Sequence, residues 1–393
     1  MVKQIHIENY KSVQSLDIEL GRLNVFIGAN GCGKTNVLEA IALGSAAAAD
    51  KLDNEFLGSR GIRTVQPNYM KSGFTLHNSE NPIILSIQNH EGENIELALE
   101  ERNHRSWDVK FPKLEKIGEQ RRKREELEDI IEAVSIVAAV EGKIIKKSKD
   151  QRENEINKIL KDIYLETFSP EILQFLIFAP ENYFLRRFEE ESQIKPLGIR
   201  GEGLFSHLVE LELSENFDIL EKIKEKLSLI DWFENFDIFD DPSMFLSPKK
   251  IIVQDRFIKE GLYHFDQRSA NEGFLYLLFY STLFISPYTP KFFAIDNIDN
   301  SLNPKLCSEL TKMLAQLAKE HDKQAILTTH NPAVLDGLNL NDDEQRLFVI
   351  YRNADGHTKA RRVFKKEMPE GMEPVKLSEQ FLRVYLGGLN HNF

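Results

Sequence analysis

The sequence predicts an α/β fold built around a phosphate-binding strand, loop and helix, with a helical hairpin arm inserted between its two halves. Three observations predict it. The stretch Gly28-Ala29-Asn30-Gly31-Cys32-Gly33-Lys34-Thr35 follows the apolar run Leu23-Asn24-Val25-Phe26-Ile27 and precedes the helical pattern Asn36-Val37-Leu38-Glu39-Ala40-Ile41. A second apolar run, Lys291-Phe292-Phe293-Ala294-Ile295, ends in the carboxylate of Asp296. Between the two, residues 112–168 are charged, nearly glycine-free and poor in aromatics, with helical periodicity.

Composition narrows the function classes. With 393 residues, 41% of them hydrophobic, the chain can fill the core of one large domain carrying an insertion, or of two domains. The formal net charge of -12 argues against a surface that coats nucleic acid, and confines any DNA contact to a local basic patch. Cys32 and Cys307 are too few and too far apart for a disulfide framework or a metal site, which points to a reducing cytoplasm. The start, Met1-Val2-Lys3-Gln4-Ile5-His6-Ile7, alternates polar and apolar residues and reads as a strand rather than a signal peptide. The most apolar stretch, Gly273 to Ser286, is shorter than the ~20 residues needed to cross a bilayer, so it reads as a buried core helix. The expected location is cytoplasmic, with no membrane contact.

In chain order, residues 1–111 form the first lobe. Ile5–Ser12 and Leu16–Leu20 read as an antiparallel pair of strands. In the phosphate loop, Gly28, Gly31 and Gly33 allow the backbone to approach a triphosphate with its N–H groups pointing inward. Asn30 and Asn36 flank that cradle, Lys34 reaches the β- and γ-phosphates, Thr35 ligates Mg²⁺, and the helix N-terminus adds partial positive charge. The ligand pair expected here is therefore ATP with Mg²⁺. Asp53 to Ser72 is rich in turns, and Ile83–Gln88 and Ile95–Leu99 have hairpin character. The arm follows at residues 112–168, with a break near Glu141-Gly142. Its basic clusters, Arg121–Arg124 and Lys143–Arg152, either contact DNA phosphates or an acidic partner, or form a solvated face balanced by neighbouring glutamates.

Residues 169–393 form the second lobe. Gly201 and Gly203 punctuate the start of a helix running to Leu213, Ile251-Ile252-Val253 reads as a strand, and Asn271-Glu272-Gly273 opens the apolar helix. Asp296 stands at a strand end, where holding Mg²⁺ through water requires a carboxylate. Gln324 to Thr329 is another strand, ending in His330. Leu347–Tyr351, the basic run Lys359 to Lys366 and a closing helix over Leu377 to Leu386 complete the chain.

Taken together, these motifs resemble the RecF and SMC branch of ABC-type P-loop ATPases. Asn9-Tyr10-Lys11-Ser12 is similar to the turn that lies near the nucleotide base in that family, which implies a base-side role for Lys11. Asn271, Glu272 and Gly273 resemble the signature turn that reaches the γ-phosphate of a second subunit, with Asn271 in the serine place. Its amide can still donate a hydrogen bond. Asp296 matches the Walker B aspartate, but Asn297 stands where the family has its catalytic glutamate. Asparagine positions water and accepts no proton at neutral pH, so a loss of roughly 10²- to 10⁴-fold in the chemical step is expected, with Asp299 placed to compensate. Ile298 to Pro304 resembles the D-loop, and Thr328-Thr329-His330-Asn331-Pro332 the switch-histidine segment that senses the γ-phosphate. A glutamine that helps hold metal and water in the family has two candidates here, Gln66 and Gln88.

The resemblance implies an ATP-driven head-to-head homodimer, or a higher homo-oligomer built on it. The ATPases of OLD, Septu (PtuA) and PARIS (AriA) systems are similar. The arrangement here, without a TOPRIM nuclease after His330, fits those whose effector is a separate protein. The leading expectation is an ATPase that senses phage or foreign DNA and controls a partner nuclease. A nucleotide-locked scaffold that hydrolyses ATP slowly or not at all is a second reading, and a RecF-like repair ATPase gripping DNA through the arm or Lys359–Lys366 a third.

Overall fold

The structure, a computed structural model, describes residues 1–75, 80–102, 106–112, 170–187, 194–214, 217–239, 250–259, 265–365, 375–383 and 385–386. From residue 113 onward the expected arm and its basic clusters lie outside the described residues. The first lobe runs β1 (Val2–Tyr10), β2 (Val13–Glu19), β3 (Leu23–Ile27), α1 (Lys34–Ala48), β4 (Ile83–Asn89), β5 (Asn94–Arg102) and β6 (Ser106–Lys110). The second runs β7 (Ile177–Phe178), α2 (Leu204–Leu213), α3 (Phe217–Leu227), β8 (Phe233–Phe239), β9 (Lys250–Asp255), β10 (Phe265–Asp266), α4 (Glu272–Ile285), β11 (Phe292–Ile295), α5 (Pro304–Glu320), β12 (Gln324–Thr329), β13 (Gln345–Arg352) and β14 (Thr358–Val363). Short helical turns lie at Asn54–Ser59, Pro67–Met70, Pro170–Leu173 and Asn182–Leu185, and the closing helix spans Leu377–Leu382.

Three sheets result. A six-stranded sheet in the order β14-β13-β3-β12-β11-β7 sits at the centre, and β13, β3, β12, β11 and β7 run parallel within it. A five-stranded antiparallel sheet, β2-β1-β4-β5-β6, covers α1, and β10-β9-β8 form a small third sheet. The parallel strands read as near-continuous apolar runs because both of their faces are covered. Phe26, Phe292, Ala294, Ile326, Phe348 and Ile350 pack on the α1 side. Their alternating neighbours Val25, Ile27, Phe293, Ile295, Leu327, Leu347 and Val349 pack toward α4 and α5. Register reinforces this: Phe348 pairs with Phe26 across β13 and β3, and their rings meet edge to face at 5.5 Å.

Local chemistry explains the helices that matter most. α1 lies between two sheets and is buried from Val37 to Ala48, which only small residues permit along Ala46-Ala47-Ala48. A Cβ on Gly44 would come within 3.1 Å of Leu85 Cδ1. α4 is apolar all round and buried from Gly273 to Ile285, as its sequence requires. α5 is amphipathic, buries Cys307, Leu310, Leu314 and Leu317, and starts with Pro304 after Asn303, whose side chain accepts from Leu306 N at 3.0 Å.

Where composition offered only a basic run, the structure has β14, antiparallel to β13. Asn235 to Phe239, an acidic and aromatic run, lie in β8. Both cysteines are buried and free. Among the described residues, no helix is long and apolar enough to cross a membrane.

Candidate nucleotide site

The parallel registers bring the carboxyl ends of β3, β12 and β11 to one edge, since Thr329 pairs with Ile27 and Ile295 with Leu327. Ligand sites of open α/β sheets lie at such edges. The phosphate loop leaves β3 there. Gly33 is left-handed, with φ +108°, and a Cβ on Gly28 would sit 2.1 Å from the carbonyl oxygen of Ile350. Lys34 is buried, and its Nζ donates to the carbonyls of Gly28 at 2.9 Å and Ala29 at 3.2 Å. Burial pushes its ammonium below the ordinary lysine value, while the Cys32 sulfur, Asp296 and Asp299 pull it back. A buried cation resting on its own loop's carbonyls is ready to exchange them for an anion.

Across the edge, Thr35 Oγ1 donates to Asp296 Oδ2 at 3.1 Å, joining two motifs 261 residues apart. The other carboxylate oxygen, Oδ1, accepts from Thr328 Oγ1. One hydroxyl and one carboxylate at hydrogen-bond distance are oxygen donors of the kind that suits Mg²⁺. Among the described residues no group of three or more His, Cys, Asp or Glu could hold a metal by itself. Asn297 has φ +58°, and its N–H donates to Thr328 Oγ1 at 2.9 Å. Asp299 Oδ1 accepts from Thr329 Oγ1 at 2.7 Å. His330 follows β12, and burial together with the Lys34 charge holds its imidazole below the usual value despite Asp299 and Asp296. Lys34, Thr35, Asp296, Asn297, Asp299 and His330 therefore share one edge.

Lys11 and Asn36 lie in a connected network beside the loop. Glu39 on α1 is fully buried and accepts from Lys11 Nζ at 2.5 Å, Tyr10 OH at 3.3 Å, and Arg63 N and Nε at 3.1 and 2.6 Å. Arg63 Nη2 also donates to Asn36 Oδ1 at 3.0 Å. Desolvation raises the Glu39 carboxyl, but Arg63 and Lys11 outweigh it and leave it below the ordinary range. The unfolded chain therefore takes up this proton first as pH falls. The Glu39 contribution is complete above about pH 4.3 and is lost progressively below it. Glu39→Gln should cost about 2–3 kcal/mol in urea unfolding at pH 7, and the cost should shrink in titrations toward pH 3.

The signature turn stands at another place. Asn271 caps α4, its Oδ1 accepting from Gly273 N at 2.8 Å, and Glu272 Oε1 accepts from Asn182 Nδ2 at 2.5 Å. Among the described residues no hydrogen bond links Asn271, Glu272 or Gly273 to Gly28–Asn36. Gln88 lies inside the β4–β5 hairpin, where its Nε2 donates to Gly92 O at 3.4 Å, and Gln66 precedes the Pro67–Met70 turn.

Sequence reasoning assigned no role to Glu39 or Arg63, and took in Thr328 only as part of the switch-histidine segment. Glu39 carried a legible signal, a lone acid in an apolar helix. The contact of Thr328 with Asp296 becomes visible only through the β11–β12 register, and Arg63 only through folding.

The sequence pattern of the family described as "AAA domain, putative AbiEii toxin, Type IV TA system" matches residues 23–336. None of the curated proteins matches this chain. Among solved structures similar in fold is the Smc head bound to the C-winged helix domain of ScpA, with a TM-score of 0.54 and 12% identity over 93% of this chain and 98% of that one. The SMC head domain from Thermotoga maritima has a TM-score of 0.45 and 13% identity over 93% and 99% of the two chains. For the Smc head domain with an extended coiled coil from Pyrococcus furiosus, bound to the C-terminal domain of ScpA, the values are 0.45 and 14% over 98% of each. The fold is α/β and that of an SMC head domain.

Proposed function

We propose, from the premise that this chain belongs to that AAA-domain family, that it binds and hydrolyses ATP and closes head to head around two nucleotides as a homodimer. The 3.1 Å contact of Thr35 with Asp296 carries the reading, because it builds the metal-holding pair from both lobes. Mg²⁺ and the triphosphate supply the transferable phosphoryl group and the charge that neutralises it. The chain's own part is positioning. Backbone amides around Gly31–Thr35 cradle phosphate, Lys34 turns from Gly28 and Ala29 to the phosphates, and Thr35 and Asp296 hold the metal. Asn297 orients water, and His330 donates a hydrogen bond to the γ-phosphate.

Asn271–Gly273 act in trans, supported by the lack of any hydrogen bond to their own phosphate loop among the described residues and by an α4 N-terminus suited to an anion. Asn271→Asp tests this cleanly, because aspartate caps a helix as well as asparagine does but turns an amide donor into a charge facing phosphate. Light scattering with Mg-ATP should show dimers for wild type, and monomers that still bind ATP for Asn271→Asp. Lys34→Ala should bind no ATP and stay monomeric. An Asn271→Asp protein that dimerises like wild type would sink the trans assignment.

The head is a regulatory subunit for a separate effector nuclease in anti-phage defence, a role supported by the toxin–antitoxin context in the family description. Plaque assays with the gene and its neighbours should show protection that Lys34→Ala removes. A slow, nucleotide-locked scaffold is the second reading, and Asn297 favours it. It holds if wild type and Lys34→Ala release phosphate equally slowly while wild type alone binds ATP. The DNA-gripping reading is weakened at the C-terminal basic run. Lys359 Nζ donates to Ser15 O at 3.1 Å, Arg361 to Leu386 O, and Arg362 to Asp343.

A further inference from the structure

The phosphate loop is held from outside its own motif by the turn between β13 and β14. Arg352 Nε donates to Gly31 O at 3.1 Å, and Thr358 Oγ1 donates to Cys32 O at 2.9 Å. A trans peptide is planar, so fixing a carbonyl fixes the next residue's N–H in the opposite direction. Arg352 thereby fixes the peptide whose N–H, on Cys32, closes the loop's own turn by donating to Ala29 O at 3.3 Å, and Thr358 aims the amide of Gly33. Thr358 leaves no room for a side chain there: a Cβ on Gly33 would lie 2.1 Å from its Oγ1.

The hydroxyl protons can be followed. The single proton of Thr358 goes to Cys32 O, so the 2.7 Å contact between Ser12 Oγ and Thr358 Oγ1 uses the proton of Ser12. Ser12 Oγ in turn accepts from Asn36 Nδ2 at 2.6 Å, and Thr358 N donates to Ser12 O at 2.7 Å. A directed chain thus runs from Asn36 on α1 through Ser12 and Thr358 to the loop carbonyl.

The turn itself is prebuilt. Arg352 Nη1 donates to Gly356 O at 2.9 Å, Asn353 Oδ1 accepts from His357 N at 2.8 Å, and the His357 ring packs on Phe74 at 4.4 Å.

We propose that Arg352 and Thr358 are positioning residues that set nucleotide affinity by holding the phosphate loop's backbone in its binding conformation. The proposal rests on the nucleotide reading above. The test is titration of Mg-ATP and Mg-ADP into Thr358→Val, Thr358→Ser and Arg352→Ala, with thermal melts in the absence of nucleotide. Thr358→Val keeps the shape and removes the donor, so its Kd should rise about 5- to 30-fold, with KM rising alongside and kcat moving less. Thr358→Ser should stay within about threefold of wild type, because the hydroxyl remains. Arg352 is exposed, so its variant should melt like wild type and bind about 5-fold more weakly. The proposal is overturned if Thr358→Val and Arg352→Ala both bind as wild type does, or if Thr358→Ser loses as much as Thr358→Val. A wild type that binds neither nucleotide overturns the nucleotide reading and this proposal with it.

Discussion

Asn297→Glu should raise the steady-state ATPase rate about 10²- to 10⁴-fold, the range a positioned general base supplies. Residue 297 directly follows Asp296 and is anchored by its own N–H to Thr328 Oγ1 at 2.9 Å, so a new carboxylate is delivered where the attacking water has to be oriented. The backbone sets a side condition. With φ +58°, the position suits asparagine, which tolerates the left-handed region, and glutamate there costs on the order of 1 kcal/mol of stability. Asn297→Asp is the companion variant, since aspartate fits that backbone but is one methylene shorter. Phosphate-release assays should rank Asn297→Glu above Asn297→Asp, and both above wild type. The gain should lie in kcat, and adding Lys34→Ala should abolish it. If neither acidic variant changes the rate, the missing carboxylate is not what limits turnover. Asp299, already holding Thr329 Oγ1 at 2.7 Å, would then be the group to replace next.

The sequence displayed the parts of this site that are local and withheld those that depend on register. Gly28–Thr35 is legible because a strand, three glycines and a lysine are consecutive, and Asp296 because an apolar strand ends on it. The contact between Thr35 and Asp296 follows from β3 and β11 flanking β12, which no window of residues shows. Thr328 illustrates the point. The switch segment singles out its histidine, yet Thr328 donates to Asp296 and accepts from Asn297 N. Lys11, whose base-side role is implied by resemblance alone, has a partner no window of residues shows, the buried carboxylate of Glu39. The basic run from Lys359 reads as a patch by composition, but strand alternation in β14 and the partners Ser15 O and Asp343 distribute its cations over the fold.

Replacing Lys323 with methionine should destabilise the protein by about 3–5 kcal/mol, the cost of leaving several buried oxygens without their shared donor. Lys323 stands just before β12 and is 1% exposed. Its Nζ donates to Ser286 O at 2.8 Å, Thr289 O at 2.9 Å, Thr289 Oγ1 at 2.8 Å and Pro290 O at 3.3 Å. Three protons thus serve four oxygens on the loop that leaves α4, and methionine matches the length while supplying none. Burial pushes the Lys323 ammonium down to about 8, whereas an unfolded lysine gives up its proton near ~10.4. Between those values the unfolded chain binds more protons than the folded one, so this residue's contribution to stability rises with pH. Urea midpoints at pH 7.5 and 9.5 should therefore show wild type ahead of Lys323→Met at both, with the gap wider by about 2 kcal/mol at the higher pH. A gap that narrows with pH would mean that the lysine keeps its proton in the fold, and equal midpoints would mean that the loop finds other donors.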